Sequence, residues 1–119
     1  MDVDNSESGE SRRKFKRRYA MFKIPVYDAK TKKFVGLMQD LSEQGIQLLG
    51  IKVDVNSTMT MIVDPAGYVK GPPISFQAVC KWVREEGSQG YYVSGFEILN
   101  ISNKTRDDLI DLMETATLD

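Results

Sequence analysis

Two short stretches of this 119-residue chain hold side chains whose type and spacing could do chemistry. The first is "RRKFKRR", residues 12–18, cationic at six of seven positions, with Arg13 and Arg17 four apart and Arg12 and Arg18 flanking them. An arginine presents a planar fork of five donors and stays charged at any working pH. Such forks pair two-pronged with phosphates and with the O6 and N7 edge of guanine, and guanidinium planes stack on bases. A basic tail that only solubilises the chain, or touches nucleic acid without specificity, would have the same composition.

The second stretch is "DLSEQG", residues 40–45, which sets Asp40, Ser42 and Gly45 between two apolar runs. Read structurally, it is a strand-turn-strand connection, because Asp and Ser bond their own backbone in turns and Gly supplies a positive φ. Read functionally, Asp40 accepts from the N1–H and N2–H₂ edge of a guanine and Ser42 adds a second polar contact. Gly45 then lets the backbone come close to a ligand. Arginines for phosphates and the Hoogsteen edge, with an acid for the Watson–Crick edge, would make a guanine-nucleotide site in two pieces.

Composition narrows the chemistry. The chain has no histidine and one cysteine, Cys80. The commonest general base and metal ligand is therefore missing, and neither a Ser-His or Cys-His nucleophile nor a zinc site can be assembled. The expectation is a binding module without catalysis, cofactor or metal. A lone cysteine cannot form an intrachain disulfide, which points to a reducing compartment, the cytoplasm. The apolar runs are too short to cross a membrane, and the N-terminus lacks a signal-peptide core. The net charge of −1 conceals an asymmetry: residues 1–10 hold four acids and no base, directly before the basic cluster. Residues 1–11 read as a solvated, disordered acidic tail.

From Tyr19 onward the pattern is one of short strands that must position the two stretches. "YAMFKIPVYDA" reads as the first, "AKTKK" as a polar hairpin loop, "KFVGLMQDL" as the second, "SEQG" as a turn and "IQLLGI" as the third. "STMTMIVD" alternates, with Met59, Met61 and Val63 on one face. "SFQAVCKWVREE" sets Phe76, Ala78, Cys80 and Trp82 on one face, and "YYVSGFEIL" is the sixth strand. Leu109, Leu112 and Met113 form a helical stripe near the C-terminus. Ser102 or Asn103 can cap that helix, at about residues 103–115, with Asp107 and Asp108 early, where the dipole favours acids. The expected fold is all-β with a C-terminal helix, a six-stranded antiparallel barrel over residues 19–119 preceded by a basic arm, 12–18.

R-x-x-x-R before the first strand and D/N-x-S-x-x-G after the second, about two dozen residues on, together resemble the bacterial PilZ domain. The resemblance continues through "CKWVREEGSQGYYVSGFEILNIS" and covers roughly residues 12–115. It implies a barrel that binds the second messenger cyclic di-GMP and signals by a conformational change to a downstream protein, with outputs such as motility, surface polysaccharide and biofilm. It maps the paired arginines onto Arg13 and Arg17 and the turn residues onto Asp40, Ser42 and Gly45. It adds Arg12, since an arginine directly before the motif favours two intercalated ligand molecules over one. Arg18 and Trp82 are candidate further contacts, Trp82 being otherwise a core residue beside Cys80. The competing reading is a small barrel that binds nucleic acid through its basic arm and exposed aromatics.

Overall fold

Alternating β-branched and aromatic residues become eight strands and one helix in the computed structural model, which describes residues 18–118. The strands are β1 (Arg18–Ala20), β2 (Pro25–Asp28), β3 (Phe34–Leu41), β4 (Gly45–Gly50), β5 (Thr58–Val63), β6 (Ile74–Glu86), β7 (Tyr91–Leu99) and β8 (Thr117–Leu118), with α1 (Asn103–Ala116) between the last two. The order β2-β5-β6-β7-β4-β3, closed by pairing of β3 back onto β2, makes a six-stranded antiparallel barrel. Closure removes the sheet edges that would otherwise be open to pairing with another chain. β1 and β8 extend the sheet beyond β3.

The inner face is continuous. Val26, Met61, Val63, Phe76, Ala78, Cys80, Phe96 and Ile98 fill the barrel, and Leu109, Leu112, Met113 and Ala116 of α1 pack onto the same cluster. Ser102 caps the helix, its Oγ accepting from the Thr105 N–H at 3.1 Å, so one of the orphan N-terminal donors is satisfied. Because the helix starts at Asn103, Asp107 and Asp108 lie beyond its first turn, which holds no acid. The expected dipole contribution from those two residues falls away, since the effect fades after one turn.

Three expectations change in detail. The run expected as one strand over 19–29 is two strands, β1 and β2, separated by a detour through Met21–Ile24. Trp82 does not share the face of Phe76, Ala78 and Cys80, because a β-bulge between Cys80 and Trp82 shifts the register against β7. Gly45 does not have a positive φ. Its requirement is steric: a Cβ there would lie 3.1 Å from the Phe96 carbonyl oxygen on β7.

Candidate ligand-binding groove

The site begins with the detour. β1 and β2 both pair with the same edge of β3, Tyr19 opposite Asp40 and Pro25 opposite Leu37. Five residues, 20–24, therefore span an interval that β3 covers with two, and the surplus backbone must leave the sheet. It is tied down at both ends. The Met21 N–H donates to the Ala116 carbonyl at 2.8 Å, and the Met38 N–H donates to the Ile24 carbonyl at 2.9 Å. Between the detour and the Leu37–Asp40 segment of β3 a groove opens, with a volume of about 460 Å³. This is within the range of small-molecule sites, ~300–1,000 Å³. Its walls mix apolar residues, Tyr19, Leu37 and Leu49 among them, with Gln39, Asp40 and Gln47.

Two bulges aim side chains into and beside this groove. In β3 the register against β4 shifts between Met38 and Asp40. Met38 points into the core, and Asp40, two residues on, belongs to the outer face. In β6 the shift between Cys80 and Trp82 does the same, sending Cys80 inward and Trp82 outward. Pairings then run across four strands. Asp40 faces Gln47, Gln47 faces Gly95, and Gly95 faces Trp82. Directly paired residues share a face, so this row is the outer neighbour of the buried row Leu41, Ile46, Phe96 and Cys80. Gly95 leaves the gap in which the indole sits, for a Cβ there would be 2.2 Å from Trp82 Nε1. The guanidinium carbon of Arg84 lies 5.3 Å from the indole centroid. That is within cation–π range.

The turn after Asp40 is rigidly built. The Ser42 N–H donates to the Gly45 carbonyl at 2.9 Å, while Ser42 Oγ accepts from the Gly45 N–H at 3.1 Å and the Gln44 N–H at 3.3 Å. Ile98 donates its N–H to the Gln44 carbonyl at 2.8 Å, and Arg106 of α1 reaches Glu43 at 3.6 Å. Sheet and helix thus both hold the turn. Asp40 and Ser42 are 5% and 7% exposed. An acid this buried, on a strand that borders a groove, is a group for which the fold has made a place.

Of the residues singled out in the sequence, Asp40 lines the groove, Ser42 and Gly45 build the turn that follows it, and Trp82 lies on the same outer row three strands away. Arg18 is in β1, paired with Leu41, so the basic cluster is covalently continuous with the strand that flanks Asp40. Arg12, Arg13 and Arg17 lie outside the described residues. Sequence reasoning missed Gln39, Gln47 and the apolar walls. Their signal would have been Asp40 itself, an acid two residues after the core residue Met38 and directly before the core residue Leu41, which marks a bulge. No group of three or more His, Cys, Asp or Glu side chains among the described residues could hold a metal ion. No described helix is long and apolar enough to cross a membrane.

The fold and groove define a small barrel with an open groove beside β3, and comparison places it in a family. Residues 11–115 match the PilZ domain, and the chain belongs to that family. Among solved structures it is similar to the PilZ domain of YcgR from Escherichia coli with c-di-GMP. The TM-score is 0.68 at 16% identity, over 88% of this chain and 91% of that one. It is similar to the inhibitor of motility MotI/DgrA from Bacillus subtilis, TM-score 0.68 at 15% identity, over 87% of this chain and 49% of that one. The K. pneumonia MrkH–c-di-GMP complex gives a TM-score of 0.67 at 16% identity, over 87% of this chain and 51% of that one. The likeness is one of fold, and this chain spans about half the length of MotI/DgrA and MrkH. No curated protein sequence matches it.

Proposed function

We propose that this chain is a non-catalytic receptor for cyclic di-GMP that changes conformation on binding and signals to a partner protein. The carrying observation is the outer-face row that sets Asp40 beside a groove and next to β1, the strand continuous with "RRKFKRR". Asp40 accepts from the N1–H and N2–H₂ edge of guanine. Arg13 and Arg17 hold the phosphates and the Hoogsteen edge, and Arg12 stacks on a second ligand molecule. Trp82 lies on the same outer row and adds contact area, whereas Arg18, paired with Leu41 of the buried row, stands on the opposite face of β1 and contributes from the strand's end. Ser42 and Gly45 act through the turn, whose hydrogen bonds and close approach to β7 fix the direction of Asp40. Residues 12–18 act as an arm that closes on the ligand, with the acidic residues 1–11 ahead of it.

The physical case for closure is electrostatic. Six cations in seven residues repel one another, and two bound phosphates relieve that repulsion. Each charge-assisted contact contributes ~1.5–3 kcal/mol. Arg13→Ala and Arg17→Ala are therefore each expected to weaken cyclic di-GMP binding by at least about tenfold in calorimetric titration, with the fold intact by circular dichroism. The wild-type titration is expected to saturate at two ligands per chain. Wild-type affinity in both variants would reject the arm as the ligand-holding element. A stoichiometry of one would reject the intercalated pair while leaving the receptor in place.

A further inference from the structure

Gln39 is the extra residue of the β3 bulge, and it changes what the groove can recognise. In a regular strand Gln39 and Asp40 would point to opposite faces. Here both line the same groove, and Gln47, paired with Asp40, lines it with them. The Gln47 amide nitrogen Nε2 donates to Gln39 Oε1 at 3.1 Å. A primary amide carries its acceptor and its donors at opposite corners. With the Gln39 carbonyl held by Gln47, the NH₂ of Gln39 is the end that faces away from Gln47.

Resting on the cyclic di-GMP reading above, we infer that Gln39 and Asp40 read one guanine together, and that Gln47 is the positioning residue that sets the direction of the Gln39 amide. The Watson–Crick edge of guanine presents an acceptor, O6, followed by two donors, N1–H and N2–H₂. A carboxylate supplies only acceptors and can match only the two donors. An arginine on the Hoogsteen edge takes one lone pair of O6; the other, on the Watson–Crick side beside the acid, still needs a donor, and the Gln39 NH₂ is that donor. Adenine presents N6–H₂ at the position of O6, donor against donor. Gln39 therefore discriminates between the two purines at an atom that Asp40 does not reach.

This arrangement makes a prediction that a merely structural role for the glutamines does not. Gln47→Glu replaces a donor by an acceptor at position 47. The Gln39 amide then turns its NH₂ toward the new carboxylate and presents its carbonyl to the base, which suits N6–H₂ of adenine and repels O6. The added negative charge opposes cyclic di-GMP and cyclic di-AMP alike and cancels in their ratio. Calorimetric titration of the full chain with both dinucleotides tests this. Gln39→Leu is expected to weaken cyclic di-GMP by about tenfold and leave cyclic di-AMP nearly unchanged, and Gln47→Glu to cut the guanine-over-adenine ratio by at least about tenfold. A wild type that binds cyclic di-GMP, with both variants folded and wild-type selectivity retained, would overturn the inference and leave the receptor standing. A wild type that does not bind cyclic di-GMP would overturn both.

Discussion

Two of the barrel's bulges, one in β3 at Gln39 and one in β6 at Lys81, do the same geometric thing to opposite effect. Each takes two residues that alternation would leave on one face and separates them, Met38 from Asp40 and Cys80 from Trp82. In β3 the inward residue is a core methionine and the outward one a carboxylate beside an open groove. In β6 the inward residue is a buried thiol and the outward one an indole that covers Gly95. One bulge borders an opening with a polar wall, and the other fills its space with aromatic surface. A bulge re-aims a side chain. Whether the result is a site or a seal depends on what is opposite: in β3 the chain of β1 detours away, while in β6 a glycine lets the side chain lie flat.

The contrast breaks most visibly at Gly95. Adding one methyl there places it 2.2 Å from Trp82 Nε1 and 2.4 Å from Cε2. The indole must leave its seat, since no rotamer adjustment of a fused ring absorbs an overlap of that size. Gly95→Ala is expected to cost ~1–3 kcal/mol in urea denaturation. Trp82 is the sole tryptophan, so its emission reports directly and should shift to the red. Unchanged stability with unchanged emission would mean that the β6 bulge does not seal the outer face.

The β3 bulge should behave in the reverse way, with binding moved more than stability. Asp40→Asn keeps the size of the side chain and replaces one acceptor by donors. On the reading above it weakens cyclic di-GMP by at least about tenfold and lowers the guanine-over-adenine ratio, leaving the part read at O6, through loss of a charge-assisted contact of ~1.5–3 kcal/mol. If Asp40 only shapes the turn, Asp40→Asn binds as the wild type does and keeps its selectivity. Parallel titration and denaturation of this variant and of Gly95→Ala tell a site from a seal, each variant serving as the control for the other.

Much of this was legible in the residues. The run "YYVSGFEIL" predicts β7 to the residue, the stripe of Leu109, Leu112 and Met113 predicts the buried face of α1, and the barrel of six strands follows from the spacing of turns. The site was legible only in part, because its geometry is made of departures from period. A one-residue insertion leaves local propensity unchanged and appears only when the partner strand is known, which is why Trp82 looks like a core residue beside Cys80. The split of the first run was hidden for a similar reason. Phe22 and Ile24 are as apolar as a strand requires, and it is the shared edge of β3 that forces residues 21–24 out of the sheet. Gly45 looked like a turn glycine and is a packing glycine. No local pattern tells a position that needs positive φ from one that needs room for the Phe96 carbonyl.

The smallest effect expected comes from the inward residue of the second bulge. Burial pushes the Cys80 thiol above its ordinary value, the backbone of Trp82 offsets part of that, and the Asp54 carboxylate adds a lesser push. The fold therefore prefers the neutral thiol. In the unfolded chain a cysteine ionises at pH ~8.5, and in the folded chain it ionises at a higher pH. Below ~8.5 both states hold the proton and the stabilisation is complete. As pH rises toward and through the folded value, the unfolded state gains from releasing its proton while the folded state does not, so stability is lost. Cys80→Ala removes this titration and adds only a pH-independent cavity cost. The stability gap between wild type and Cys80→Ala, measured by denaturation from about pH 7 to 10, should stay level to about pH 8.5 and narrow above it. Lysines and tyrosines also titrate in that range, but they do so in both proteins and cancel in the difference. A gap that stays level throughout would mean that the thiol ionises as readily inside the barrel as outside. The inward face of the β6 bulge would then be as wet as the groove beside Asp40, and the distinction between seal and site would fail where it is narrowest.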